Sequence, residues 1–138
     1  MSGLNKAMLI GRLGREPETR WFEGGKAMCK LSVATSERYE DQTGQWHERT
    51  EWHVVVLWRE LAESADAQLS KGDRVYVEGR LKSRTWLDDH GQQHRATEVM
   101  GDRLDRLGSE ADEEKKGKPN DSASPRGPHP IDTSSIPL

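Results

Sequence analysis

One stretch constrains the fold more than any other: Thr50-Glu51-Trp52-His53-Val54-Val55-Val56-Leu57-Trp58. Three consecutive valines flanked by tryptophans read as a β-strand, because β-branched and aromatic side chains suit a pleated, half-buried surface. Side chains alternate along a strand with period two. Trp52, Val54, Val56 and Trp58 therefore share one face, and His53, Val55 and Leu57 share the other. Both faces are largely apolar, so both ask for cover. The two tryptophans stand roughly 20 Å apart along an extended strand. They are either core or a surface left bare to stack on something flat.

The rest of the composition says how large a core is available. Leu, Ile, Val and Phe make up 23 of the 138 residues, below the roughly 20% expected of a self-sufficient globular core. The net charge is only −3, so self-repulsion gives no support to a disordered chain. The aliphatics sit in periodic runs, which predicts one small, thin-cored domain with a tail, of the kind often completed by oligomerisation. Five tryptophans stand against one phenylalanine, weighting the aromatics toward rings that tolerate a wet edge. Residues 1–108 carry 17 Lys/Arg against 18 Asp/Glu, so any basic groove must be local.

Catalytic and membrane signals do not emerge. The single cysteine, Cys29, excludes an internal disulfide and a cysteine-based metal cluster. It alternates with Ala27, Leu31 and Val33 and reads as a buried thiol. The apolar run 7–10 is far too short for a signal peptide or a membrane span, which predicts a cytoplasmic protein. No Gly-rich phosphate loop, His-Glu-x-x-His or nucleophile elbow occurs. His47, His53, His90 and His94 match no common metal-site spacing. No catalytic residue, metal or cofactor is expected, and the chain reads as a binding protein rather than an enzyme.

In chain order, residues 5–13 read as a strand interrupted by Gly11, which predicts a bulge or sharp bend. A turn at 14–18 leads to a short extended piece, Arg20-Trp21-Phe22, and a glycine hairpin turn at 23–26. The next strand, 26–36, has Ala27, Cys29, Leu31 and Val33 on its apolar face. Residues 37–48 read as a polar loop, with Gly44 near its tip, projecting Tyr39 and Trp46. Strand 49–58 follows. The one helical signal is 59–69, where Leu61, Ala65 and Leu69 fall four apart and Ala62 adds to the stripe. Lys71-Gly72 is expected to end it with a basic last turn and a C-terminal glycine.

Strand 74–86 places Tyr76, Lys82, Arg84 and Trp86 on one parity, then 88–91 turns the chain into a hairpin partner at 94–104. Three strands, a helix and two strands predict an all-β fold: a five-stranded Greek-key barrel of the OB type, with one helix between strands 3 and 4. A ferredoxin-like fold would need a second helix. From residue 109 the chain turns charged and then rich in Pro, Ser, Gly and Asn, too poor in apolar surface to order itself. Residues 1–108 are therefore expected to form the barrel domain and 109–138 a disordered linker. The linker ends in an apolar tip, which looks like a docking peptide.

Aromatic and basic residues interleave. Trp52 and Trp58 share a strand face, Trp86 lies toward the end of a long strand beside Lys82 and Arg84, and Tyr39 sits on the expected loop. Lys6, Arg15, Arg20 and Lys71 could line a rim. Single-stranded nucleic acid offers flat bases and a charged backbone. A base stacked on an aromatic is worth roughly 1–3 kcal/mol, and cations track the phosphates. Neither contact reads base edges, so little sequence preference is expected. The residues alone leave core tryptophans and stacking tryptophans equally open.

Several stretches carry a resemblance: Asn5-Lys6, Leu9-Ile10-Gly11-Arg12-Leu13-Gly14, Pro17-Glu18, Ala34-Thr35-Ser36-Glu37, Thr50-Glu51-Trp52-His53 and Lys71-Gly72-Asp73-Arg74-Val75-Tyr76-Val77-Glu78-Gly79. In order and spacing, over about residues 5–100, the chain resembles the bacterial single-stranded DNA-binding protein family. The resemblance implies an OB-fold homotetramer that coats single-stranded DNA in replication, recombination and repair. It puts the stacking positions on Tyr39, Trp52, Trp58 and Trp86, and links His53 to subunit assembly. Val54 and Glu60 stand where the best-known members are basic, and Arg12, Arg15 and Arg49 are the expected substitutes. The family's tail ends in an acidic run and Ile-Pro-Phe and recruits genome-maintenance proteins. Here Ile136-Pro137-Leu138 follows a single nearby acid, Asp132. The resemblance thus predicts non-catalytic, sequence-tolerant binding of single-stranded DNA, with replication and repair proteins as tail partners. The alternatives are a primosome-type OB accessory acting mainly through protein contacts, and an assembly domain whose tryptophans are buried between subunits.

Overall fold

The alternating stretches pair with one another. The computed structural model describes residues 2–109. Its elements run β1 Ala7–Leu13, β2 Glu18–Phe22, β3 Lys26–Glu40, β4 Trp46–Trp58, α1 Arg59–Gln68, β5 Arg74–Leu87 and β6 Gln93–Gly108. The extended piece at Arg20–Phe22 is a strand in its own right, paired along β3 from Glu18↔Lys30 to Phe22↔Lys26. The helix consequently follows the fourth strand in chain order rather than the third.

Strands neighbour one another in the order β1-β5-β6-β4-β3-β2, and β1 also pairs with β3. That last pairing, Arg12↔Ala34 and Leu13↔Val33, closes β1, β5, β6, β4 and β3 into a barrel. The parallel step Val55↔Val99 and Val56↔Met100 joins β4 to β6. A closed five-strand circuit with one helix is the OB-fold, and closure removes the open sheet edges that would otherwise invite pairing.

Inside the barrel lie Leu13, Ala27, Cys29, Leu31, Val33, Val55, Leu57, Val75, Val77 and Val99, all buried. Ala27, Cys29, Leu31 and Val33 are the apolar face read from the sequence, and Val55 and Leu57 settle which face of β4 is core. None of the five tryptophans is among them. Helix α1 packs Ala62 and Ala65 onto the barrel, with Leu69 buried just past its end. Asp66 accepts a 2.8 Å hydrogen bond from the Thr19 hydroxyl, tying α1 to β2. Cys29 is buried, as expected, and burial raises its thiol pKa.

Three expectations are corrected. Gly11 carries no bulge: β1 pairs with β5 without a register shift from Ala7↔Gly79 to Arg12↔Arg74. A Cβ at Gly11 would stand 2.2 Å from the Ala34 carbonyl oxygen, so the glycine serves close approach of β1 to β3. The bulges lie instead between β5 and β6, at Arg74/Val75 and Glu78/Gly79. Residues 37–48 are mostly strand, because β3 and β4 stay paired out to Glu40↔Trp46. Charged side chains hid this: they carry little strand propensity, and the partner strand supplies the pairing. Helix α1 ends at Gln68 without a basic last turn. Gly72, at φ 92°, instead lies in the turn before β5 and donates its N–H to the Leu13 carbonyl at 2.9 Å. The tail residues Asp132, Ile136, Pro137 and Leu138 lie outside the described residues.

Leu57 is fully buried at the barrel centre, so Leu57→Ala is expected to cost about 2–5 kcal/mol. Urea unfolding followed by far-UV circular dichroism measures it; a loss below about 1 kcal/mol would contradict this placement.

Candidate nucleic-acid interface

Strand β4 lies against β3 in unbroken register from Met28↔Trp58 to Glu40↔Trp46. With Val55 and Leu57 inside, alternation sends Trp52, Val54 and Trp58 outward. Trp52 is 61% exposed and Val54 38% exposed. The Trp52 ring rests on the turn after β1, where a Cβ at Gly14 would come within 2.3 Å of it. Trp58 is half-buried. Phe22 stacks on it at 6.0 Å between centroids, and the Lys26 ammonium lies 5.1 Å from its ring.

Beside Trp58 the outer faces of four strands converge on a shallow pocket of about 300 Å³. Its walls include Val56 and Trp58 from β4, Lys30 from β3, Lys82 and Arg84 from β5, and Met100 from β6. Val56 is buried at the pocket floor, although it shares the outward parity. Arg84 Nε donates to the nearly buried Glu98 carboxylate at 2.9 Å, which aims the guanidinium and spends part of its charge.

The outward row also holds Arg20, opposite Met28, and Arg12, opposite Ala34, whose other partner is Trp52. Arg12 Nη1 donates to the Gly72 carbonyl at 3.2 Å. Arg15 and Lys71 are exposed near the Gly14 and Gly72 turns. Lys6 is held 3.3 Å from Glu78 on the β1–β5 pair. Hydrogen bonds from the Tyr76 hydroxyl and from Lys6 lower the Glu78 pKa, and the bond to Glu78 raises that of Tyr76. His53 is half-buried on the inward parity, with Nε2 2.8 Å from the Thr35 hydroxyl.

Tyr39 and Arg49 are not brought to this face. In the register Tyr39↔His47 and Glu37↔Arg49 they share the parity of His53, on the other side of the β3–β4 hairpin. Sequence reasoning left Lys26, Lys30 and Phe22 out of the site. Their signal was available in the outward parity of β2 and β3, which reads as ordinary polar surface until β4 is placed alongside.

A further signal went unread. The segment Tyr39, Asp41, Gly44, Gln45, His47 recurs as Trp86, Asp88, Gly91, Gln92, His94, each residue 47 positions on. Both copies are hairpin arms reaching beyond the barrel. In the first, the Asp41 carboxylate accepts from the Thr43 and Gln45 amides and lies 2.7 Å from His47 Nε2. In the second, Asp88 accepts from the His90 and Gln92 amides and lies 2.8 Å from His94 Nε2. Each histidine stacks on its aromatic, Tyr39–His47 at 5.3 Å and Trp86–His94 at 5.5 Å. An arginine stands over the same ring, Arg49 at 4.7 Å and Arg84 at 4.4 Å. Each arginine has its own acid, Glu37 at 3.8 Å for Arg49 and Glu98 for Arg84.

The Thr43 hydroxyl, then His47 and the Gln45 amide, hold Asp41 well below its ordinary pKa of 3.8. Asp88 is lowered by His94 first and the Gln92 amide next. Among the described residues, no group of three or more His, Cys, Asp or Glu could hold a metal ion. Among the same residues, no helix is long and apolar enough to cross a membrane.

An OB barrel that keeps its tryptophans on the outer sheet beside a basic pocket defines the class of OB-fold binding proteins. The model of the Single-strand binding protein family matches residues 4–107, and the chain belongs to that family. It is 48% identical over 105 residues to the single-stranded DNA-binding proteins of Neisseria meningitidis serogroups A and B. The match takes in 76% of this chain and 60% of those relatives, so the chain spans less than two thirds of their length. Among solved structures, a Plasmodium falciparum SSB in complex with ssDNA is similar at TM-score 0.71 and 37% identity, over 78% of this chain and 97% of that one. A deletion mutant of the Thermus aquaticus single-stranded DNA binding protein gives TM-score 0.69 and 34% identity, over 79% and 53%.

The lowered carboxyl pKa values fix a pH dependence. A group whose pKa is depressed on folding stabilises above its unfolded value and loses that contribution as pH falls through the folded one. Exchange protection of the Gln45 and Gln92 amides is therefore expected to persist from neutral pH down through pH 3.8, the ordinary carboxyl value, and to weaken only well below it. Asp88→Ala, which removes the acceptor, should abolish the Gln92 protection at neutral pH while leaving Gln45 unchanged. Amide exchange by NMR decides it.

Proposed function

We propose that this chain binds single-stranded DNA without sequence preference and without catalysis, stacking bases on its outer aromatics and neutralising phosphates with groove cations. The observation that carries this is the outward face of β4: Trp52 and Val54 exposed, and Trp58 at the edge of a pocket walled by Lys30, Lys82 and Arg84. Family membership supports the same reading and favours a coat protein over a primosome-type accessory. We assign Lys6, Arg12, Arg15, Arg20, Tyr39, Arg49, Trp52, Trp58, Lys71, Lys82, Arg84 and Trp86 to the DNA path, with Trp52 and Trp58 at its centre. Tyr39 and Arg49 serve a strand that wraps to the far side of the first arm.

The same reading makes the chain a homotetramer of residues 1–108, acting in replication, recombination and repair in the cytoplasm at the nucleoid. Exposed Met8 and Ile10 on β1 supply apolar surface for subunit contact, and His53 is placed near a subunit boundary. Asp132, Ile136, Pro137 and Leu138 are assigned to a docking tip for replication and repair proteins. No cofactor or metal enters this function.

Titration with oligo(dT) is expected to quench tryptophan fluorescence, while duplex DNA of equal length does so far less. Equal responses would overturn the proposal. Trp52→Ala should weaken binding by about 1–3 kcal/mol, and Trp46→Ala by much less. The log–log salt slope should be about −0.7 per phosphate contact. Native mass spectrometry with and without oligo(dT) reads the tetramer directly.

A further inference from the structure

Arg59 is the one non-glycine residue, among those described, with a positive φ, 56°. That backbone region favours glycine, and a bulky side chain held there marks a position the surroundings over-determine. Arg59 lines a cavity of about 560 Å³ with Gly24, Gly25, Lys26 and Trp58. Among the described residues, no ion pair joins Arg59 or Lys26 to a carboxylate.

Trp58 belongs to the walls of both this cavity and the smaller basic pocket. A strand following β4 across Trp58 therefore leaves one and enters the other. Gly24 and Gly25 leave open space where side chains would stand, so their backbone can be approached closely. The volume lies in the range that accommodates a small molecule or one nucleotide. Glu60 and Glu63 line the helix side. They repel a phosphate there and restrict it to the side of the 23–26 turn, where the Lys26 ammonium stands over the Trp58 ring.

We propose that this cavity is a further DNA subsite, taking the nucleotide next to the base stacked on Trp58, with Lys26 and Arg59 as ligands of its phosphodiester. The inference rests on the single-stranded DNA reading and extends it by two phosphate ligands, Lys26 and Arg59, that are not among the residues assigned to the DNA path above.

Arg59→Gly is the informative variant, because glycine is relaxed at this φ and the fold should be kept, with Tm unchanged or raised. Binding of the full chain to oligo(dT) is measured across a salt series. Arg59→Gly and Lys26→Gln are each expected to weaken binding roughly threefold to tenfold at low salt, and to reduce the magnitude of the slope by about 0.7. Arg59→Lys should restore the slope. Wild-type affinity and slope in both Arg59→Gly and Lys26→Gln would overturn the subsite while leaving the proposed function standing. Failure of the unmodified chain to bind oligo(dT) would overturn the proposed function itself.

Discussion

Register between β3 and β4 is the constraint on which the rest depends. The ladder runs from Met28↔Trp58 to Glu40↔Trp46 without a shift. Alternation is therefore strict over the whole hairpin, and a slip of one residue would exchange its faces. The observed register puts Leu31, Val33, Val55 and Leu57 inside, and all four are buried. It leaves Trp52 and Trp58 outside. A slip would drive indoles into a barrel lined by Val, Leu, Ala and Cys, where overpacking is itself costly. The small core that composition indicates is thus the reason the aromatics are available at the surface.

Closure adds the second requirement. Strand β1 must cross close enough to β3 to pair at Arg12↔Ala34, and Gly11 supplies the space. The same crossing carries Gly14 under the Trp52 ring. Barrel closure and the seating of one exposed tryptophan are therefore set by two glycines three positions apart, one in β1 and one in the turn that follows it.

Periodicity made most of the fold legible. Apolar alternation gave the inward parity of β3 and separated the two faces of β4 and β5 without saying which was core, and the four-residue spacing of Leu61, Ala65 and Leu69 gave α1 within a residue at its end. Less was visible where a partner, rather than the strand's own residues, decides the outcome. Residues 37–48 are charged and read as loop, but cross-strand pairing makes them arms. Gly11 looked like a break in its own strand, whereas its role is fixed by Ala34 on another. The site was legible as a set of residue types and less so as a surface. Trp52, Trp58, Lys82, Arg84 and Trp86 fall on the outer sheet. Tyr39 does not join them, because a loop residue has no parity until its strand is recognised. The repeated arm was readable as an Asp-x-x-Gly-Gln-x-His spacing, but its meaning lies in hydrogen bonds that spacing alone does not reveal.

The aromatic platforms are not equivalent, and magnitudes say by how much. Trp86 already carries Arg84 and His94 against its ring, so a flat ligand stacking there competes with contacts already made. An exposed cation–π contact is worth about 0.5–1 kcal/mol, a sizeable part of the roughly 1–3 kcal/mol from stacking one base. Glu98 also holds Arg84 in place, which raises the cost of moving it. Tyr39 carries the same obstruction from Arg49 and His47. Trp52 rests on Gly14 and, among the described residues, has no ring or cation stacked on it. A ligand gains nearly the full stacking energy there. Occupancy should therefore begin at the open ring on the barrel and reach the bracketed rings of the arms only where a released arginine finds a phosphate to replace its aromatic partner.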